Sequence, residues 1–113
     1  MKNHIKSEEV EANNLGNIIV QNLLNSESFN KLSISRVKLQ GDQKFGIDKK
    51  SDIFYYILEG NGKFFIEDKT IRVKTGDLIH IPRNTKYKDE GNLTLLAISF
   101  PRFDPKNHKY FDR

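Results

Sequence analysis

One histidine of this sequence lies away from both ends of the chain, His80, and it is the first candidate for proton transfer. A histidine gains and loses its charge near neutral pH, which suits it to act as a general acid or base. The alternative is a half-buried histidine hydrogen-bonded to backbone, because the predicted strand at 78–82 is apolar on both faces. His4 and His108 lie near the chain ends and are expected to be exposed to solvent.

The elements that must position such a residue are predicted to be β-strands. Short runs rich in β-branched and aromatic residues occur at 55–58, 63–66, 71–74, 78–81 and 93–99, and each is bounded by Gly, Asn, Asp or Pro. We expect turns at 60–62 and 67–69. The segment 16–24 fits a strand or a short helix, and its Ile-Ile-Val run favours the strand. This pattern predicts an all-β sandwich or closed barrel.

The chain carries the spacing of two sequence motifs. In the first, G-x5-H-x-H-x3-4-E-x6-G, Gly41, Ile53 and Gly60 fall on the first glycine, the glutamate and the last glycine. The second, G-x5-P-x-G-x2-H-x3-N, matches in spacing from Gly76 through Pro82. With this spacing the chain resembles the cupin superfamily. The resemblance implies a double-stranded β-helix, the jelly-roll barrel of that superfamily.

The metal-binding positions of the first motif hold other residues. Ile47 and Lys49 stand at its two histidine positions, or Gly46 and Asp48 with the longer spacer, and Ile53 stands at the glutamate position. Histidine and carboxylate side chains are the usual ligands of divalent ions in proteins. The resemblance therefore implies a cupin without the usual metal site, and we expect no metal and no cofactor.

The second motif has Tyr87 in place of its metal-binding histidine. A phenol there can donate a hydrogen bond or act as a general acid, so Tyr87 joins His80 as a candidate catalytic residue. The alternative is an aromatic ring that plugs the emptied metal site. A metal site in a shifted position, made by Asp48, Asp52 and His80, would be a departure from the family pattern.

The resemblance also indicates which side chains bind a ligand. With Ile53 facing inward, strand alternation puts Tyr55 and Ile57 on the same face, and Asp48 is a further candidate. Lys49, if it faces inward, would lower the pKa of Tyr87 and attract a carboxylate or phosphate. If it faces outward, Lys49 is a surface lysine.

The segment 100–105 resembles the Pro-aromatic-Pro tail of small cupins. Such a tail is expected to fold over the barrel mouth, with Arg102 available to an anion and Phe103 to a ring or an apolar group. A surface tail or a dimer contact is the alternative for this segment.

Two functions from different classes fit these residues. In the first, the barrel binds a small organic ligand, anionic or carbonyl-containing, without turnover. In the second, a metal-independent enzyme of isomerase, epimerase or lyase type uses His80 and Tyr87 to move protons on a sugar derivative or keto acid. Fold alone does not decide between them.

Length and composition restrict the domain number, the cellular location and the binding partners that we expect. The 113 residues suit one domain, which we place at 16–105 between a flexible arm at 1–15 and a tail at 106–113. The chain has no cysteine and no apolar run long enough for a membrane span or signal peptide, so we expect a cytoplasmic protein without a membrane partner. Its net charge of +4 is scattered and no nucleic-acid-binding motif accompanies it, so we expect no nucleic-acid partner. The resemblance implies a homodimer formed by sheet packing or by exchange of a terminal strand.

Overall fold

The computed structural model describes residues 3–111, and in that part of the chain it contains nine β-strands and two short 3-10 helices. The strands are β1 (Ala12–Asn14), β2 (Ile18–Ser26), β3 (Phe29–Asp42), β4 (Gly46–Asp48), β5 (Asp52–Ile66), β6 (Lys69–Lys74), β7 (Leu78–Ile81), β8 (Tyr87–Phe100) and β9 (His108–Tyr110). The 3-10 helices are Ser7–Glu9 and Pro105–Asn107. The predicted all-β fold is confirmed, and the ambiguous segment at 16–24 contributes to strand β2.

Strand β8 connects the two halves of the sheet. It pairs antiparallel with β3 along one edge and with β5 along the other. Beyond β3 the sheet continues to β2 and β1, while β5 also pairs with β6 and β7. β4 joins β8 at one register pair and carries β9 on its other edge. The sheet curls around one interior, which is the arrangement expected of a jelly-roll barrel.

The interior is apolar where the long strands cross and open elsewhere. Phe64, Ile57 and Leu95 are fully buried, and Ile53 is nearly so. Their side chains alternate with outward-facing ones along β5 and β8, as strand geometry requires. This packed region forms the core, and the rest of the interior is a cavity.

The turn predicted at 60–62 is wrong, because β5 runs without interruption from Asp52 to Ile66. The glycines there serve close approach to β8. A Cβ built on Gly60 would collide with the backbone of Asn92, and one built on Gly62 would collide with the backbone of Glu90. Gly60 also has a φ of 97°, a torsion that L side chains rarely adopt.

Two short strands come from segments that the sequence analysis placed outside the barrel. β1, from the predicted arm, pairs with β2, and β9, from the predicted tail, pairs with β4. Strand β9 matters for the interior because it brings His108 beside Asp48. Within residues 3–111 no helix is long and apolar enough to cross a membrane.

Candidate active site

A cavity of about 880 Å³ occupies the open part of the barrel. One set of its lining residues is neutral and polar, namely Asn13, Asn17, Asn22, Asn25, Ser33 and Ser35. A second set is apolar and includes Ile18, Val20, Val37, Ile53 and Phe103. A third set carries titratable groups and includes Tyr55, Tyr87, Asp89, His108 and Tyr110. Such a lining suits a ligand that is both hydroxylated and partly apolar.

The third set contains a histidine held by a buried carboxylate. His108 Nδ1 lies 3.3 Å from Asp48 Oδ2, and the two side chains are only 4% and 3% exposed. The other oxygen of Asp48, Oδ1, accepts hydrogen bonds from the backbone N–H groups of Lys50 at 3.0 Å and Ser51 at 2.7 Å. Because a carboxylate only accepts hydrogen bonds, the proton between the two residues sits on Nδ1 of His108. Nε2 of His108 is then an acceptor.

The position of His108 is tied to a glycine at the emptied motif position. A Cβ built on Gly46 would lie 2.8 Å from Nε2 of His108, closer than real side chains approach. Gly46 stands at the first histidine position of the cupin motif when the longer spacer is used. The imidazole of His108, supplied by β9, therefore occupies space that a side chain at position 46 would need.

Burial keeps His108 neutral. Removal of the imidazole from water lowers its pKa, and the hydrogen bond and charge of Asp48 offset this only in part. A neutral imidazole with a free Nε2 lone pair can take up a proton. The expectation that His108 is exposed to solvent is wrong, because β9 folds its side chain into the barrel.

Two tyrosines lie next to this histidine. The hydroxyl groups of Tyr55 and Tyr87 are 2.6 Å apart, and the rings of Tyr87 and His108 meet edge to face with centroids 6.3 Å apart. Burial raises the pKa of both phenols, and for Tyr55 the Tyr87 phenol and the Asp89 carboxyl add to the rise. The pair therefore stays protonated and donates hydrogen bonds. Lys49 faces outward, so the condition under which it would lower the pKa of Tyr87 is not met.

Asp89 is a further titratable group of this cavity. Its residue is 8% exposed, and it lines the cavity beside the tyrosines. Burial raises its pKa from 3.8 to about 6, and its own backbone N–H partly offsets the rise. In the part of the chain that the structure describes, no other residue donates a hydrogen bond to this carboxyl. Asp89 was not among the residues singled out from the sequence.

The structure does not bring His80 together with Tyr87. His80 is on the outer face of β7, where its ring stacks on Phe54 with centroids 4.5 Å apart and its Nε2 lies 3.1 Å from Asp52 Oδ2. The backbone N–H of Arg83 and the ring of His80 hold the pKa of Asp52 below its usual value. This group faces solvent, and none of its members lines the cavity.

The candidate ligand-binding residues separate into three groups. Ile53, Tyr55 and Phe103 line the cavity, as does the candidate catalytic residue Tyr87. Asp48 lies behind His108, and Ile57 belongs to the packed core. Lys49 is exposed, and Arg102 donates a 2.6 Å hydrogen bond to Asn25 without lining the cavity itself.

The donor groups of the cavity do not fit a resident divalent ion. Over residues 3–111 no three histidine, cysteine, aspartate or glutamate side chains are grouped as a metal site would need. Asp48 uses both carboxyl oxygens in hydrogen bonds to the chain, and the tyrosine pair stays protonated. The shifted site of Asp48, Asp52 and His80 is not assembled, since Asp52 and His80 are on the outer surface.

Fold and site together define a cupin whose interior carries a histidine–carboxylate pair and a tyrosine pair. The family model Cupin_2, described as a cupin domain, matches residues 36–92. The chain therefore belongs to the cupin family, and the predicted resemblance is confirmed. An uncharacterized protein of Methanocaldococcus jannaschii is 42% identical over 57 residues, which are 47% of this chain and 46% of that protein. This chain thus matches less than half of that relative's length.

Solved structures share the whole fold. Streptomyces Pac13, described as a nucleoside dehydratase, superposes with a TM-score of 0.88 at 20% identity and covers 98% of this chain and 92% of Pac13. Pac13 variants with one histidine or one tyrosine replaced were solved with uridine. A Planctomyces limnophilus protein superposes with a TM-score of 0.87 at 18% identity and covers 98% of this chain and 97% of that one. At such identities the likeness shows the fold alone.

Proposed function

We propose that this cupin is a metal-independent enzyme of lyase or isomerase type. It binds a small hydroxylated substrate with a carbonyl group in the barrel cavity and moves a proton on it. One observation carries the proposal: the Asp48–His108 pair and the Tyr55–Tyr87 pair meet at the same cavity, with the Tyr87 and His108 ring centroids 6.3 Å apart. This arrangement supports the proposal that a base and a hydrogen-bond donor act on one ligand.

His108 is the base. Asp48 fixes the tautomer with the proton on Nδ1, so that Nε2 can accept a proton from the carbon next to the substrate carbonyl. The lowered pKa of His108 means that the ring is unprotonated at neutral pH and ready for this step. Asp48 is a positioning residue, because its two oxygens face the chain and not the cavity.

The tyrosine pair stabilises the charge that proton removal creates. Loss of the carbon-bound proton moves an electron pair onto the carbonyl oxygen and forms an enolate. Of the two hydroxyl protons of Tyr55 and Tyr87, one is shared between them and the other is available to that oxygen. Preformed donors in a site shielded from water are the usual means of lowering such a barrier.

Two outcomes follow from the enolate, and both conserve atoms and electrons. When the carbon that lost its proton carries a hydroxyl, that hydroxyl passes its proton to the enolate oxygen. The proton on Nε2 then adds to the former carbonyl carbon, so the carbonyl group moves to the neighbouring carbon and the substrate is isomerised. When a hydroxyl on the next carbon leaves with that proton as water, a carbon–carbon double bond forms and the substrate is dehydrated. Neither outcome requires an oxidant or a reductant, which agrees with a site made of a histidine, a carboxylate and two phenols.

The comparison with Pac13 supports the dehydration branch. Pac13 is described as a nucleoside dehydratase, and the residues replaced in its uridine-bound variants are a histidine and tyrosines. Those are the residue types that meet in the present cavity. Nucleosides and their carbonyl derivatives therefore belong in the first substrate panel, beside sugar derivatives and keto acids.

The test measures hydrogen exchange, so that it works before the product is known. Each compound is incubated with the protein in D₂O, and proton NMR follows loss of the signal next to the carbonyl and appearance of any alkene signal. We expect exchange with the native protein, loss of exchange in His108→Gln and Tyr87→Phe, and full exchange in the matched control His80→Ala. Binding of panel compounds without any exchange would instead identify a binding protein without turnover.

We also propose that two copies of the chain pair through the outer face of β5, β7 and β8. Tyr56 and Leu78 are opposite each other in register and are 41% and 61% exposed, and Leu96 is opposite Tyr56 on the other side. Leu96 is half-buried beside the two exposed side chains, so apolar groups of three strands adjoin on this face, and an apolar surface of this kind is a common site of protein–protein contact. A two-fold axis would place this face against its own copy.

A further inference from the structure

We propose that Asp89 is a ligand-recognition residue that accepts two hydrogen bonds from a vicinal diol of the ligand. The proposal deepens the proposed function, because it names a feature of the molecule that occupies the same cavity. Asp89 is a buried carboxyl of this cavity. Within the described residues, the hydrogen-bond donor to it is its own backbone N–H.

Burial makes the ionised form of this carboxyl unfavourable, and a ligand that donates hydrogen bonds to it would stabilise that form. Asp89 is on β8 opposite Phe64, a fully buried ring, and its residue is 8% exposed. A buried carboxylate ordinarily has a cation or several N–H donors as partners, and an unpaired one costs several kcal/mol in principle. Asp48 in the same barrel shows the difference, since its oxygens receive donors from Lys50, Ser51 and His108.

The surroundings favour a neutral diol over a cation as the missing partner. Lys44 and Lys88 also line the cavity, and Lys88 Nζ lies 2.6 Å from Asp42 Oδ1. The lysine that is paired here already uses Asp42 as its anion, whereas the neutral amide and hydroxyl groups of the wall fit further ligand hydroxyls. A carboxylate has two oxygens and can accept one hydrogen bond from each hydroxyl of a diol.

The groups that share the cavity with Asp89 come from several elements. They are Tyr55 of β5, Tyr87 and Lys88 of β8, His108 and Tyr110 of β9, Asp42 of β3 and Lys44 of the connection to β4. Burial raises the pKa of the three tyrosines and lowers the pKa of His108, so burial favours the neutral form of all four groups. Asp89, with its pKa of about 6, changes charge around pH 6.

The test uses methyl β-ribofuranoside, which has a vicinal diol, and its 2-deoxy analogue, which does not. Neither has a carbonyl group, so binding is measured without turnover. We expect the diol glycoside to bind about tenfold more weakly at pH 5 than at pH 7.5, because about a tenth of Asp89 is ionised at the lower pH. The deoxy analogue is expected to bind at least about tenfold more weakly at pH 7.5 and with little pH dependence.

The variant Asp89→Asn keeps the shape of the side chain and removes the charge. We expect it to lose the preference for the diol and the pH dependence, while the matched control Asp68→Asn, in the exposed turn after β5, retains both. Equal binding of the diol glycoside by Asp89→Asn and the native protein would overturn the inference, as would no binding of it by the native protein. Failure of the proposed function looks different: the glycoside binds through Asp89, but no carbonyl compound undergoes exchange.

Discussion

Replacement of Asp48 by asparagine tests the histidine–carboxylate pair most directly. In the native protein Oδ1 accepts from the backbone N–H groups of Lys50 and Ser51, at 3.0 and 2.7 Å. An asparagine must keep its oxygen at that position, since an NH₂ group would face two donors. Its NH₂ group therefore faces Nδ1 of His108, which can meet it only as an acceptor. The imidazole proton is forced onto Nε2.

The expected loss of rate in Asp48→Asn follows from the proposed role of Nε2 as the proton acceptor. With a proton already on it, Nε2 cannot accept one from the substrate, so the reactive tautomer must form at a cost. Each tenfold loss of rate corresponds to about 1.4 kcal/mol, and a wrong tautomer that costs about 3 to 5 kcal/mol lowers the rate roughly 10²- to 10⁴-fold. The pKa of His108 falls further as well, because the hydrogen bond and charge of Asp48 raise it in the native protein.

The assay needs no substrate in its first part. Nitrogen-15 NMR of histidine-labelled protein distinguishes a protonated ring nitrogen from a bare one, and we expect protonated Nδ1 in the native protein and protonated Nε2 in Asp48→Asn. Hydrogen exchange on a reactive panel compound then gives the rate, with Asp68→Asn as the control. An unchanged tautomer in a folded Asp48→Asn protein, or an unchanged rate, would refute the reasoning.

The remaining predictions concern Gly46, Asp89 and the proposed dimer surface. Gly46→Ala should lower the exchange rate by about ten- to a hundredfold with the fold intact, because its Cβ would lie 2.8 Å from Nε2 and the ring must move; unchanged NMR shifts of His108 would contradict this. Asp89→Asn should stabilise the protein at pH 7.5 by up to about 3 kcal/mol, since a carboxyl whose pKa rises from 3.8 to about 6 contributes stability below pH 4 and loses it as the pH rises through 6. Urea unfolding at pH 4 and pH 7.5 checks this, and a gain of similar size at both pH values would oppose it. Leu78→Glu should give a monomer by light scattering while Ile19→Glu, on the exposed face of β2, leaves a dimer; a monomeric native protein would disprove the pairing.

The fold could be predicted from the sequence because it depends on local signals. The β-branched and aromatic runs mark β5 to β8, and the glycine and proline spacing of the two motifs fixes their order in a cupin barrel. The prediction of a turn at 60–62 was wrong because glycine has two roles in β-structure. It permits a reversal, but at Gly60 and Gly62 it permits close contact with β8, and only the partner strand distinguishes the two.

The candidate site could be predicted only in part. Alternation from Ile53 correctly put Tyr55 towards the interior, and the motif pointed to Tyr87. His80 attracted attention as the central histidine, yet β7 directs it outward onto Phe54. His108 was missed because it follows the last motif, where a sequence gives no register. Its pairing with β4 is a long-range contact that propensity does not encode.

The position of the His108 ring requires a glycine at position 46, which accounts for the missing metal ligand at that motif position. In the motif, a histidine at position 46 would reach the interior from β4, and here the imidazole comes from β9 to the space above the glycine. Any side chain at 46 would displace it, and without His108 the cavity would lack a base next to Tyr87. The proposed role of His108 as a base also depends on Asp48, which lies two residues after Gly46 and hydrogen-bonds Nδ1. A cupin sequence with glycine at that motif position, aspartate two residues later and a histidine in a C-terminal strand should therefore be examined for acid–base chemistry, although its metal ligands are missing.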